Sequence, residues 1–319
     1  MANNSLVVEC GERSRFISYD DIYLSEPDMY TYSYNTSFDG EGAITSAIDY
    51  VVNAEQPQLY RLEGHGESEL PSTFQDQLEK ANMELHDLSL LTVDAIPEDA
   101  ACLLIYAPTS DISGEERDML ADYVTGGGKL LVMAGPVDGA SLDNLYSLLS
   151  EYGVTANEGI VIESDREHYA FQMPYVLLPD MAASPVTDPL MEGSYYPILP
   201  ISQGLTVSGG NSRGTVSALL TTSESSFSKA AGYELATYEK EEGDTDGPFA
   251  VALSIEDSGG GEIIWFASSV FLEDLYNAYS SGANVNLAMN ALSSLVGESE
   301  AMAIRSKSLD YNYLTISES

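Results

Sequence analysis

Positive charge is what this chain has least of. Lys and Arg number 12 against 51 Asp and Glu, giving a net charge of -39 over 319 residues. A surface so poor in cations repels phosphate backbones and anionic lipid headgroups, which argues against binding nucleic acid. Such acidity attracts Ca²⁺ and cationic partners, and its simplest effect is solubility. Cysteine is nearly absent too: Cys10 and Cys102 stand far apart, with no Cys-x-x-Cys to bind zinc or cycle redox. Cys102 lies in the apolar run Ala-Cys-Leu-Leu-Ile-Tyr and reads as an inert core thiol. Whether it pairs with Cys10 is left open. No stretch reaches the ~18 apolar residues of a spanning helix. The longest candidate, 263–272, is ten residues with two serines. The opening Met-Ala-Asn-Asn-Ser lacks the basic-then-apolar order of a signal peptide. No Gly-x-Ser-x-Gly or Gly-x-Cys-x-Gly stands at a strand-to-helix turn, so no nucleophile elbow is read.

What the chain does have is apolar residues, 44% of the total, and a clear rhythm from residue 40 onward. Before that, 5–10 and 15–19 read as two strands around Cys-Gly-Glu-Arg, beginning abruptly as if their sheet partners were missing. Residues 23–39 read as a polar, tyrosine-rich connection. Then Ile44, Ala47, Ile48, Val51 and Val52 form a helical stripe. A strand at 58–63 follows. Ser72-x-x-Gln75 then opens a helix with Phe74, Leu78 and Ala81 inward. Strands are expected at 83–90 and 101–107. Ser113-x-x-Glu116 opens a helix carrying Met119, Leu120 and Val124, ended by Gly126-Gly127-Gly128. Because those glycines precede the next strand, 129–134, they are a helix stop and not a phosphate loop. Ser141 is expected to cap a helix with Leu145, Leu148, Leu149 and Tyr152, followed by a strand at 158–163.

Strands alternating with capped helices predict an α/β fold, a mostly parallel sheet covered by helices on both faces. One link, 91–100, is too short for a crossover helix, which leaves the strand order open there. After residue 164 the pattern loosens into a proline-rich variable insertion, about 165–245. Additional C-terminal strands follow at 215–220, 249–255 and 262–267, the last two flanking a Ser-Gly-Gly-Gly hairpin. A final helix runs from Val285 to Leu295. The expected domains are a hairpin and connection at 1–39 and a main α/β domain at 40–319.

In open α/β sheets ligands bind beyond the carboxyl ends of the strands. Three such ends can be read, and all should share one edge. They are Gly64-His65-Gly66-Glu67, Pro108-Thr109-Ser110-Asp111 and Gly135-Pro136-Val137-Asp138. The ligand-binding candidates are therefore Gly64, His65, Gly66, Glu67, Pro108, Thr109, Asp111, Gly135, Pro136 and Asp138. His65 and Glu67 are the sharpest. A histidine between glycines is sterically open to act as base or ligand. The same residue reads equally as a turn imidazole bonded to the next loop. One His with one Glu is not a zinc site, and neither His86 nor His168 clearly completes it, so no metal, cofactor or catalytic residue is assigned. Asp244-Thr245-Asp246-Gly247 resembles the start of a calcium loop but lacks the Glu at the twelfth position, so it reads as a solvated hairpin tip or loop.

These pieces fall in a familiar order. Glu-Gly-Ala-Ile-Thr-Ser-Ala-Ile-Asp-Tyr-Val lies at 41–51, Gly-His-Gly-Glu at 64–67 and Ile-Pro-Glu-Asp-Ala at 96–100. Ala-Pro-Thr-Ser-Asp follows at 107–111 and Tyr-Val-Thr-Gly-Gly-Gly-Lys-Leu-Leu-Val-Met at 123–133. Gly-Pro-Phe-Ala-Val-Ala at 247–252 and Asn-Val-Asn-Leu-Ala-Met-Asn-Ala-Leu at 284–292 come near the end. Together they resemble the GldG-like ABC-type uncharacterised transport-system domain found in gliding-motility and ABC-export auxiliaries. The resemblance implies a fold like that of class I glutamine amidotransferases, or flavodoxin-like, without a catalytic triad. It implies a non-catalytic scaffolding domain at the outer face of the cytoplasmic membrane. Its anchoring helices would lie outside this chain, one of them beyond Ser319, and residues 1–39 would be the tail of an upstream domain. The implied partners are the ABC permease and ATPase subunits of the same system, with a polysaccharide or another cell-surface partner outside. Two other readings stay open: a hydrolase or amidotransferase-like enzyme using His65 and Glu67, and a carbohydrate-binding module suggested by 21 tyrosines such as Tyr195 and Tyr196.

Overall fold

The computed structural model describes residues 5–28, 33–53, 56–209, 213–297 and 307–308. Its contacts divide the chain into two compact units, residues 1–56 with 79–83 and 303–319, and residues 57–78 with 84–302.

In the smaller unit, Leu6–Cys10 and Arg13–Ile17 pair antiparallel, Leu6 facing Ile17 and Cys10 facing Arg13. Gly11 turns the chain with φ +61°, a conformation glycine adopts without steric cost. The stretch read as a connection is a second hairpin, Tyr23–Asp28 against Ser33–Phe38, and Lys307–Ser308 adds a third strand beside Ser37 and Phe38. Its hydroxyl- and amide-rich strands show little hydrophobic alternation, so the pairing that satisfies their backbone is invisible in either strand alone. The expected helix forms at Gly40–Val52, but turned about its axis. Ala43, Ala47 and Val51 are buried, while Ile44, Ile48 and Val52 stay 38%, 48% and 60% exposed. Ala43 and Ala47, at i and i+4, bring the helix backbone close to Ile17, with Val8 and Ile22 packed alongside.

The larger unit holds the sheet that the alternation predicts. Its main strands are β1 (Gln58–Leu62), β2 (Glu84–Leu88), β3 (Ala100–Tyr106), β4 (Lys129–Met133), β5 (Gly214–Thr221), β6 (Ala250–Asp257) and β7 (Glu262–Phe266). They lie in the order β5-β6-β7-β4-β3-β1-β2. Pairing is parallel from β7 through β4, β3 and β1 to β2, and antiparallel on the other side of β7. The helix-less link 89–99 returns the chain from edge strand β2 to β3 on the far side of β1, which settles the order left open.

Four helices cover the sheet: α1 (Ser72–Lys80), α2 (Gly114–Thr125), α3 (Asp143–Ser150) and α4 (Ala283–Val296). Alternation along the strands sorts the core into two layers. Leu103, Ile105, Leu130, Val132, Ile263 and Trp265 pack with Leu120 and Val124 of α2 and Leu145 and Leu149 of α3. The intervening Leu104, Leu131, Met133, Ile264 and Phe266 are equally buried on the other face, where α4 packs against β3, β4 and β7. Each such aliphatic or aromatic side chain contributes roughly 1.5–3 kcal/mol by leaving water. Both cysteines are free, and burial pushes the Cys102 thiol far above its usual range, as an inert core thiol requires.

Two elements depart from the simple alternation. Ile160–Ile162, read as the next strand, leaves the main sheet to pair with Phe227–Lys229, which in turn pairs with Thr245–Asp246. The acidic loop 239–246 is not merely solvated. Lys229 is fully buried, and its Nζ donates to the Glu239 carbonyl at 2.7 Å, Glu241 at 2.6 Å and Asp244 at 3.1 Å. Burial alone would raise the Asp244 carboxyl, but the Glu241 amide and Lys229 outweigh it and hold it below its ordinary value. Replacing Lys229 by Met leaves Asp244 buried without its cation. The expected result is faster cleavage by Glu-C protease within 239–246, with the urea midpoint of the main sheet little changed. Unaltered cleavage would show that the lysine does not anchor the loop.

Candidate functional site

Parallel strands deliver their carboxyl ends to one side of a sheet, so the turns after β1, β3, β4 and β7 share a rim. The first three are the turns read in the sequence. The fourth was missed, because β6 and β7 read as an appended hairpin while β7 in fact pairs parallel with β4.

At the first turn, Gly64 has φ +125° and Gly66 φ +72°, and a Cβ on Gly66 would lie 2.1 Å from Thr109 Oγ1. Only glycine lets the turn close on its neighbour. The His65 carbonyl accepts from the amides of Thr109 at 3.0 Å and Ser110 at 2.9 Å, and Thr109 Oγ1 donates to the Gly66 carbonyl at 3.1 Å. First and second turns are thus stitched together. His65 as a whole is 6% exposed. Its Nδ1 lies 3.3 Å from Glu67 Oε1 and its Nε2 3.2 Å from Glu116 Oε2. Glu67 also accepts from the His65 amide at 2.7 Å. Glu116 belongs to the capping box of α2: its carboxylate accepts from the Ser113 amide, and its own amide donates to Ser113 Oγ. Burial would raise the Glu116 carboxyl, but the Ser113 amide and hydroxyl and the nearby His65 outweigh it and lower it. His65 is therefore held between two carboxylates, each ring nitrogen engaged.

Asp111 has a local task as well. The helix expected to be capped by Ser141 has no side-chain cap from its own residues. Instead Asp111 accepts from the amides of Asn144 at 2.7 Å and Leu145 at 3.1 Å, satisfying the free N–H groups of α3. At α1 the expected Ser72 cap is replaced in a similar way. Asp274, just past β7, accepts from Ser72 Oγ at 2.8 Å and from Thr73 Oγ1 at 2.7 Å. These donors outweigh burial and lower the Asp274 carboxyl. Gly135 sits where a Cβ would come within 3.1 Å of the Ile201 carbonyl and 3.2 Å of Ser268 Cα.

A cleft of about 460 Å³ opens on this rim. Of the sequence candidates, Pro108, Thr109, Pro136 and Asp138 line it, while Gly64, His65, Gly66, Glu67, Asp111 and Gly135 support the turns around it. Sequence reading missed Glu69, Tyr106, Tyr233, Glu273 and Asp274. Tyr106 was legible as the last residue of a buried strand, where a polar tip meets the rim. Among the described residues no group of three or more His, Cys, Asp or Glu side chains is arranged to hold a metal ion. The letters Gly-x-Ser-x-Gly do occur at 210–214, but they lead into β5 and not into a helix, and 210–212 lie outside the described residues.

A family model described as ABC-type uncharacterized transport system matches residues 56–293. The chain belongs to this family. The match spans the whole parallel sheet and the rim of this transport-system domain. No curated protein matches the chain. Among solved structures, the N-terminal domain of mmIFT52 is similar with a TM-score of 0.54 at 16% identity, covering 75% of this chain and 97% of that domain. A glutamine amidotransferase from Thermotoga maritima is similar with a TM-score of 0.42 at 8% identity, covering 76% of this chain and 99% of its own. At 16% identity the first likeness concerns the fold of the transport-system domain and not its activity.

Two outcomes test the local roles. With its folded pKa lowered, Glu116 adds stability that is complete above the unfolded value of about 4.3 and is lost as pH falls through the lower folded value. Glu116→Gln should therefore flatten the acid limb of a stability-against-pH curve from urea unfolding, and an unchanged limb would contradict the assignment. Asp111→Ala should cost about 1 kcal/mol by uncapping α3, with faster amide exchange at Asn144 and Leu145. Exchange unaltered at those two amides would show the cap to be idle.

Proposed function

We propose that this chain is the non-catalytic binding or scaffolding domain of a membrane-anchored, GldG-like ABC-transporter accessory protein. It works at the outer face of the cytoplasmic membrane, held by segments outside this chain, beside the permease and ATPase subunits of the same system. The observation that carries the reading is the family match over residues 56–293. A second supports it: His65, the sharpest candidate for a base, is buried with a carboxylate on each ring nitrogen. In that arrangement the imidazole braces the turn and the capping box of α2, and a hydrolase built on His65 and Glu67 has little geometry to rest on. The strong acidity suits a domain exposed to solvent that meets partners through charge.

The test uses the full-length protein in its native membrane. Tagged protein, solubilised in mild detergent, is expected to co-purify with an ABC permease and its ATPase, identified by mass spectrometry against an untagged control. Protease added to intact spheroplasts is expected to cleave within this domain. Absence of transporter subunits from the eluate would remove the functional proposal. Protection until the membrane is breached would place the domain on the inner side instead.

A further inference from the structure

We propose that the cleft above β3, β4 and β7 binds an organic cation, an alkylammonium or guanidinium group held by Asp138 and Glu273, with the Tyr106 hydroxyl accepting from its N–H. This rests on the binding role given above and names the ligand chemistry of that role.

Three observations lead there. The first is charge that nothing in the cleft balances. The charged side chains lining it are Glu69, Asp138, Glu273 and Asp274, with no Lys, Arg or His among them. Two of the four are already satisfied. Glu69 pairs with Arg61 at 2.7 Å, and Asp274 takes the donors at the start of α1. Among the described residues no basic side chain pairs with Asp138 or Glu273. The second observation is Tyr106. It is 2% exposed, it lines the cleft, and its hydroxyl has no hydrogen-bond partner among the described residues. With its ring buried and its hydroxyl open to the cleft, this phenol finds a hydrogen-bond partner only in what enters the cleft. Burial raises its pKa, and Glu273 and Asp274 raise it further, so the hydroxyl stays protonated in a negative field. Burial and Asp138 do the same at Tyr233, whose hydroxyl donates to the Pro136 carbonyl at 3.0 Å. Burial raises Glu273 as well, with no cation nearby to offset it. Bringing a cation would relieve all of these at once, and the tyrosine rings add an aromatic surface that favours it.

The third observation concerns size. The carboxylates do not converge in a group able to hold a metal ion. They are spread around about 460 Å³, within the ~300–1,000 Å³ range of small-molecule sites. That space suits a charge carried on several carbon atoms, as in a lysine or arginine side chain of a partner protein or a free alkylamine. The chemistry is the same for both sources.

The experiment is an amide NMR titration of the isotope-labelled chain with three probes: butylammonium chloride, an acetylated and amidated Gly-Lys-Gly peptide, and the same peptide with the lysine Nε acetylated. Both cations are expected to shift the amides of Ala107, Thr109, Val137 and Ser269, and the neutral peptide is not. Tighter binding of the lysine peptide than of butylammonium points to a partner's side chain, and the reverse order to a free amine; either result supports the site. The double variant D138N/E273Q should weaken binding roughly tenfold or more, as expected for lost charge-assisted hydrogen bonds. Y106F should weaken it a few fold, the scale of about one neutral hydrogen bond. Glu115→Gln, on the exposed face of α2, is the control and should change nothing. The proposal is overturned if neither cation shifts the cleft amides, if the neutral peptide acts equally, or if Glu115→Gln weakens binding as much as D138N/E273Q. Such a failure leaves transporter co-purification unaffected, so the two proposals can fall separately.

Discussion

Parallel pairing from β2 through β1, β3 and β4 to β7 is the constraint on which the rest of this molecule depends. Parallel strands must each be re-entered from the same end, so their carboxyl ends collect on one rim whatever the connecting segments do. Here the connections differ widely. Two are regular helices, one is a helix-less loop, and β7 is reached through the antiparallel strand β6. The rim survives because inter-strand hydrogen bonds fix it, and the buried faces of β3, β4 and β7 leave those strands no other register.

On that rim most polar residues work on the scaffold. His65 joins Glu67 to the capping box of α2, Asp111 caps α3, and Asp274 caps α1 from some 200 residues away. Each carboxylate is occupied by backbone amides or hydroxyls that would otherwise lack acceptors. Such carboxylates are poorly placed to move protons for a substrate, since doing so would give up structural hydrogen bonds. What is left over is narrower: the Tyr106 hydroxyl and the carboxylates of Asp138 and Glu273, lining one cleft with the Tyr233 ring. This division is what the binding role proposed for this member of the ABC-type transport-system family would call for.

Much of this architecture can be read from residue order. The apolar runs of β3 and β4, the Ser113–Glu116 capping box, the glycine stop at 126–128 and the hairpin between β6 and β7 are local signals, and each is found in place. Where the reading differs, the missing information is non-local. The helix Gly40–Val52 turns its alanines inward because of what Ile17 offers it, not because of its own hydrophobicity. Ser72 and Ser141 carry the letters of helix caps, yet distant carboxylates take over that work. Lys229 and Asp244 look like ordinary surface charges until folding encloses their side chains together.

The sequence by itself determined the alternation of strands and helices, the acidity, and three glycine- or proline-bearing turns, because periodicity and turn chemistry act over a few residues. Only the tertiary structure decided that β7 joins the parallel set and brings Glu273 to the cleft, that His65 is braced between Glu67 and Glu116, and that Tyr106 is left without a partner. Those outcomes depend on which distant groups compete for each donor and acceptor once water is excluded, and no local pattern encodes that competition.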